Sequence, residues 1–524
     1  MPAIEFSDFA TGLDRRKARD VSDANRLWEL TNAYVTTGKQ LRKRPGLRKI
    51  ATLEAGTVGL IAGGGVLNTF STDSSIAHAD PLFRHNFVPN GGLAVSRVHY
   101  GDMFAGYLYA AVEYQDGSIK HHYLDDPGAW AASTAYTVGA FRRPTDANGF
   151  RYEVTSKAGT GTSAGSEPTW PTTEGDTVTD NPGANQVVWT CRSFAVTDTN
   201  CPHSNAVTKQ AQSIFAVDEE VVRFSATDAP RDWTTASDAG FLATGRQQTG
   251  ATDALALAEF QKQLAIFFVD GLQIWDIDPD PALMTIRQRI ANVGTRYPHS
   301  PLPFNGDVFF LSDVGFRSVL VSQQTDNIQD SDVGSPIDKL VKPGLVAGIN
   351  PLSVFYPGGG QFWCIIGNYA WVYTFSRASK IAAWSKYTFP FQIEAAASLN
   401  GELYLRSGDS VYRVDEDYYT DDGTAISVLV EMPFLSNKAP GILKQFFGFD
   451  VAMIGSASIS FRFDPRTPSF QTQAIAVSGN TQPGVLNGME FCSTHVAPVI
   501  EHAANEEWEL HSLVLYYENL APYV

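Results

Sequence analysis

The chain has 524 residues, 44% of them hydrophobic, and a formal net charge of −17. That length and apolar content suffice for a large buried core and more than one domain. No apolar run reaches the ~18 residues needed to cross a bilayer, MPAIEFSDFA lacks the basic and apolar regions of a signal peptide, and four cysteines make no disulfide framework in so long a chain. The expectation is a soluble protein made in a reducing cytoplasm.

The charge is unevenly placed. Residues 1–50 hold 11 Lys/Arg against 6 Asp/Glu, whereas the remainder holds 28 against 50. A body that acidic repels nucleic-acid phosphates. Residues 1–50 read as a basic N-terminal arm, densest in LRKRPGLRK, where Arg42, Lys43, Arg44, Arg48 and Lys49 crowd together. Pro45-Gly46 predicts a turn presenting these side chains. Three readings stand for this knot: contact with a neighbouring subunit or adaptor, contact with DNA, or a solvated surface.

From residue 51 onward the chain reads as all-β. Short strands rich in Val, Ile, Phe, Tyr and Trp alternate with Gly, Asp, Asn and Pro turns. An apolar strand, a tight polar turn and a second strand recur from Gly59, Gly106, Ser213, Gln263, Gly306, Gln361 and Gly401. Successive starts lie 47, 107, 50, 43, 55 and 40 residues apart. The outlying interval contains residues 128–193, which have no Leu, Ile or Met but 12 Thr and three of the ten Trp. Removing that insert leaves a regular period, the one expected of four-stranded propeller blades. Residues 51–127 and 194–423 are therefore expected to form a β-propeller-like core of six or seven blades. Residues 128–193 are read as an inserted small β-module, and 424–524 as a separate C-terminal antiparallel β-domain. A β-sandwich with irregular hairpins is the alternative. TDALALAEFQK is the one stretch that suggests a brief helix.

Motifs for chemistry are sparse. H-E-x-x-H and the G-x-x-x-x-G-K-S/T phosphate loop are absent. GTGTSAG from Gly159 follows no clear strand and opens no helix, so it reads as a flexible loop. His121 and His122, adjacent on a strand, point to opposite faces. Cys191, Cys201 and His203 lack a second pair at zinc-ligand spacing. DEDYYTDDG, Asp415–Gly423, clusters hard oxygen ligands but lacks a calcium-loop spacing, so a solvated turn is the simpler reading. No catalytic residue, metal or cofactor is expected.

The upstream residues place the knot in a larger pattern. FATGLDRRKARDVSDANRLWELTNAYVTTGKQLRKRPG has the form F-x-x-G-L-D-x-R, then L-x-N-A-x-V, then G-x-x-L-R-K-R-P-G. It resembles the N-terminus of the tail nozzle (tail tubular, or packaged-DNA stabilisation) proteins of short-tailed bacteriophages. Further phrases share the resemblance: VVRFSATDAPRDWTTA from Val221, AAWSKYTFPF from Ala382, SGNTQPG and THVAPVI. It spans nearly the whole chain except the insert. The resemblance implies a structural virion protein with a propeller-like core, six copies forming a ring below the portal adaptor. Its lumen would carry duplex DNA without tight binding, and other tail proteins, fibre or needle, would be further partners. It also implies that Arg42, Lys43, Arg44, Arg48 and Lys49 pack where subunits meet the adaptor or each other.

AWAASTAYTVGAFRRPTDANGFRYEV, within the insert, is similar to small chitin-binding-type carbohydrate modules. That likeness implies sugar-stacking faces at Tyr152, Trp170 and Trp189, and a host surface glycan as a partner. A unit without Leu or Ile must also build its core from aromatics, the role expected of Trp130 and Tyr136. The competing function is a propeller-based carbohydrate-binding adhesin or polysaccharide depolymerase of the tail.

Overall fold

A computed structural model describes residues 2–522 apart from positions 237, 249, 325–331, 480 and 482. Each of the seven recurring phrases folds as an antiparallel hairpin, from Val58–Gly63 with Val66–Ser71 to Glu402–Ser407 with Ser410–Asp415. Asn305-Gly306 and Asn400-Gly401, which lead into two of these hairpins from the strand before, show why such turns are tight. All four residues have positive φ, the geometry of two-residue hairpin loops whose twist matches their strands. Further strands flank most of these hairpins to give three- and four-stranded sheets. The fold is all-β and built from propeller-type blades.

TDALALAEFQK is not helical. Ala256–Phe260 is a strand, and Gln261 and Lys262, both at positive φ, turn it into Gln263–Phe267. Its apolar residues run continuously from Ala254 to Ala258, with Ala256, Leu257 and Ala258 all buried. The segment is a short strand covered on both faces, and that burial wins over the helix propensity of Ala and Leu. The described helices are short, such as Val319–Gln324.

The chain divides into two compact units. One comprises Thr52–His299 and contains the insert. Within the insert, Phe141–Arg142, Arg151–Lys157, Val187–Arg192 and Thr177–Asp180 make one four-stranded sheet, neighbours in that order. The other unit comprises Met1–Ala51 with Ser300–Val524. There Val428–Glu431, Ala497–His502, Ala457–Arg462 and Ile475–Val477 share a nine-stranded sheet with the hairpin Gln361–Ile366 and Tyr369–Ser376. Ile442–Ile454, Asn487–Ser493 and Glu509–Pro522 form a six-stranded sheet with N-terminal strands.

Residues 1–50 are not a projecting arm, and this corrects the expectation. Glu29–Thr31 lies between Ile381–Thr388 and Val428–Glu431, pairing with both. Gly46–Thr52 sits between Ser410–Asp415 and Thr420–Asp421. Leu41–Lys43 and Ala3–Phe6 each pair with Glu509–Pro522. The N-terminal segment thus supplies strands to three sheets of its unit. Strand edges gain backbone hydrogen bonds when filled this way, which is why so polar a segment is held in place.

Candidate functional site

The basic knot is the first candidate, and its centre faces inward. Arg44 is 1% exposed. Its guanidinium forks onto both carboxylate oxygens of Asp421, donates to the Pro45 and Thr388 carbonyls at 3.0 and 2.8 Å, and donates from Nε to Asn32 Oδ1 at 3.0 Å. Phe389 lies under the group, 5.0 Å from ring centroid to Cζ. Such a bidentate, fully satisfied pair is the geometry in which a buried arginine is tolerated. The glycine of R-P-G is required by space. A Cβ at Gly46 would sit 2.2 Å from the Tyr418 carbonyl oxygen and 2.4 Å from that of Thr420.

Lys43 is also buried, its Nζ donating to the Ala504 carbonyl at 2.7 Å and lying 3.3 Å from His502 Nε2. Burial pushes the ammonium down to about 8, with the Arg44 charge acting the same way. Arg42 stands opposite Glu509 in the strand register and pairs with Glu509 and Glu507, each at 3.2 Å. Arg48, half exposed, pairs with Asp415 at 3.1 Å and lies over the Tyr418 ring. Burial works against the Asp415 carboxyl, but Arg413 and Arg48 hold it below the ordinary range. Lys49 is exposed.

Two corrections follow. Lys43 and Arg44 are enclosed by their own chain and offer no face to an adaptor, a neighbour or DNA; of the five, Arg48 and Lys49 present the open surface. The acidic stretch Asp415–Gly423 is neither a calcium loop nor a solvated turn throughout, because Asp415 and Asp421 face arginines of the knot. Among the described residues, no group of three His, Cys, Asp or Glu is placed to hold a metal ion.

The upstream pattern has the same character. Gly12 has φ +61°, and a Cβ there would lie 2.7 Å from Ala383 Cβ. Leu13 donates its N–H to the Trp384 carbonyl at 3.0 Å. Asp14, 1% exposed, accepts from Arg16 at 2.7 Å and from Arg26 at 2.6 Å. Asn32, at φ 57°, uses both ends of its amide. It donates to Ser427 O and Thr388 Oγ1 and accepts from Arg44 Nε and the Thr388 N–H, all within 3.0 Å. Asn32 stands in the sequence only as a letter of L-x-N-A-x-V and Asp421 as one acid of DEDYYTDDG, and sequence reasoning did not pair either with Arg44. A buried arginine needs acceptors, so the excess of base over acid in this segment was the available signal.

The insert's aromatics form its core. Tyr152 and Trp189 are fully buried, with Trp130, Tyr136, Phe150 and Val154. Both Trp130 and Trp189 donate their indole N–H to Asp180 Oδ2, at 2.9 and 3.3 Å. Tyr152 donates to the Pro171 carbonyl at 2.6 Å. These two rings are therefore unavailable for sugar stacking, which corrects Tyr152 and Trp189 as binding faces. Trp170 is half-buried, its ring 4.3 Å from Tyr152 and its indole N–H donating to Glu167 at 2.8 Å. It keeps the partly open face. Ser163, at the centre of G-T-S-A-G, has the spelling of a nucleophile elbow without its setting. Its hydroxyl, 2% exposed, donates to the Ala131 carbonyl at 2.7 Å and accepts from the Thr134 N–H at 2.9 Å.

The adjacent histidines do diverge, each to a tyrosine. His121 Nδ1 lies 2.9 Å from Tyr109 Oη, and His122 Nε2 lies 2.9 Å from Tyr114 Oη. Burial pushes them down to about 4 and about 3 respectively, so both are neutral at pH 7. Cys201 lies 3.5 Å from His121, whereas Cys191 is in the insert's core, and burial pushes both thiols up to about 12.

No family model matches the chain, and no curated protein matches it. Among solved structures it is similar to the WD40 β-propeller domain of Doa1, at 11% identity and a TM-score of 0.28, over 62% of this chain and 94% of that one. It is similar also to an exo-β-1,3-galactanase from Phanerochaete chrysosporium, at 9% identity and TM-score 0.23, over 59% and 95%. The AfRom2 CNH domain aligns at 9% identity and TM-score 0.26, over 62% and 94%. At those scores the likenesses carry no argument about site or activity.

Proposed function

We propose that this chain is a structural virion protein: a subunit of the tail nozzle of a short-tailed bacteriophage, six copies forming a ring below the portal adaptor. The ring's lumen retains and then passes duplex DNA. The observation that carries the reading is a convergence. Two of the phrases that resemble the nozzle proteins, F-x-x-G-L-D-x-R and AAWSKYTFPF, are far apart in sequence and meet in space, Gly12 against Ala383 and Leu13 against Trp384. Asn32 and Arg44, from the other two segments of the N-terminal pattern, both reach Thr388 of the same phrase. The shared letters are the anchors of one joint, so a resemblance in those letters is a resemblance in how the chain is built.

The acidic body suits a conduit. Many phosphate contacts would arrest DNA, whereas a wall with few lets it slide. Arg48 and Lys49 remain as the part of the knot that reaches the adaptor or the next subunit. The adhesin or depolymerase reading now has Trp170 as its glycan contact. The copy number tests the assignment. Tail complexes isolated from particles are expected to contain six copies per adaptor ring by native mass; three copies, or none in the tail, would overturn it.

A further inference from the structure

The strand Ile442–Ile454 carries one residue too many at Phe447. Against Glu509–Pro522 its register steps from Phe446 opposite Tyr517 to Gly448 opposite Tyr516, which leaves Phe447 unpaired. Against Asn487–Ser493 the extra residue falls on that partner strand, between Phe491 and Gly488. Such a bulge re-aims the side chain it adds. Phe447 lines, with Asp450, Gly484, Leu486 and Tyr516, a recess of about 210 Å³. Register places Gly448 opposite Tyr516 and Asp450 opposite Val514, on one face of the sheet. Phe449, Val451 and Met453 are buried, and alternation puts them on the other face. Gly448 keeps space for the overlying loop, since a Cβ there would meet Leu486 Cδ1 at 2.5 Å.

Asp450 gives the recess its chemistry. The residue is 7% exposed, and its Oδ2 accepts from the Gly484 N–H at 2.6 Å. Its Oδ1 has no hydrogen-bond partner among the described residues. A buried carboxylate oxygen without a donor is costly, and a bound donor relieves that cost. Val485 and Leu486, beside it, are 58% and 56% exposed, so the approach is apolar.

Size and shape select the occupant. The volume is below the ~300–1,000 Å³ of pockets that enclose small-molecule ligands, and suits a single side chain. Apolar walls suit an alkyl stem, and aromatic residues in the lining, Phe447 and Tyr516, are compatible with a cation. A guanidinium fork prefers two parallel acceptors, yet one oxygen here is already engaged by Gly484. An ammonium needs only a point of negative charge. We propose that this recess receives a lysine side chain of a protein partner, the stem along Phe447, Leu486 and Tyr516 and the ammonium at the Asp450 carboxylate. The proposal stands apart from the nozzle reading.

Saturation-transfer NMR on the full chain tests it with three compounds: a capped Ala-Lys-Ala tripeptide, the same peptide acetylated on Nζ, and n-butylamine. Transfer to the lysine methylenes is expected, falling roughly ten-fold on acetylation and in Asp450→Asn, about 1.4 kcal/mol. Equal signals from the two peptides, or silence from the lysine peptide, would overturn the proposal. A signal from n-butylamine with none from the peptide would make the recess a free-amine site and overturn the partner lysine. Should Asp450→Asn fail to fold, the acetylated peptide on the unaltered chain decides alone.

Discussion

Residues 29–52 and residues 128–193 reach a buried interior by opposite routes. The first segment anchors itself at long range: Asn32 bonds Thr388 across 356 positions, and Arg44 bonds Asp421 across 377. The second closes on itself, with Trp130 and Trp189 converging on Asp180, 50 and 9 positions away. Charge holds the first joint because its job is to fix strands from three sheets in one register. Aromatic area holds the second because a small unit without Leu or Ile has only a few other apolar side chains, Val154 and Val187 among them, to add. The lesson is that the residue types most often credited with binding, Arg, Lys, Trp and Tyr, are consumed by folding when a segment must anchor itself with little aliphatic surface.

The comparison breaks most visibly at Asp421. Asp421→Ala strands a buried guanidinium and is expected to cost about 3–5 kcal/mol. Denaturant melts should show the loss in the unit that contains Met1–Ala51 and Ser300–Val524. Arg44→Lys should not rescue the joint, because an ammonium cannot span the two carboxylate oxygens.

Trp189→Ala is the matching lesion in the insert. Loss of a fully buried indole is expected to cost about 3 kcal/mol. Because the insert's core is local, proteolysis should open residues 128–193 before the rest of the chain. Trp170→Ala should cost less, since that ring is half-buried.

These two regions also show what was legible in the sequence. The hairpins were legible, because alternation and turn residues act over a few positions: Asn305-Gly306 declares its turn wherever it occurs. The aromatic core of the insert followed from its missing aliphatics, although Tyr152 and Trp189 were credited with sugar as well. The joint was not legible. Nothing local tells Arg44 that its carboxylate lies in DEDYYTDDG, or tells Glu29–Thr31 that its neighbours are Ile381–Thr388 and Val428–Glu431. The bulge at Phe447 was hidden for the same reason, since a register slip exists only between paired strands. Part of SGNTQPG, Asn480 and Gln482, lies outside the described residues.

A smaller effect sharpens the charge side of the comparison. Lys43 titrates near 8 in the fold, below its ordinary value. Between these values the unfolded chain holds the proton that the folded chain has released, so this group's contribution makes the fold more stable as pH rises. Relative to Lys43→Met, the native chain should gain on the order of 2 kcal/mol between pH 8 and 10, read from melts at both pH values. A constant difference would mean that the ammonium is solvated.

The smallest effect is expected at the knot's outer end. Arg48→Glu with Lys49→Glu should change the stability of the isolated chain by about 0.5 kcal/mol or less, since both side chains reach solvent. The same pair of substitutions should impair attachment to the adaptor or ring closure, read by co-sedimentation of the two proteins. Normal attachment would leave Arg48 and Lys49 as solvated surface.

Hydrogen exchange at the knot's own backbone tests the joint most directly. The Lys43 N–H donates to the Trp508 carbonyl at 3.0 Å, that of Arg44 to Asn32 at 3.0 Å and that of Gly46 to Tyr418 at 2.6 Å. These three amides are expected to exchange as slowly as those of Gln361–Ile366 and Tyr369–Ser376, opening only when the unit unfolds. Exchange as rapid as that of exposed turns would show a basic arm free in solvent, and would contradict the account of the segment as a buried joint.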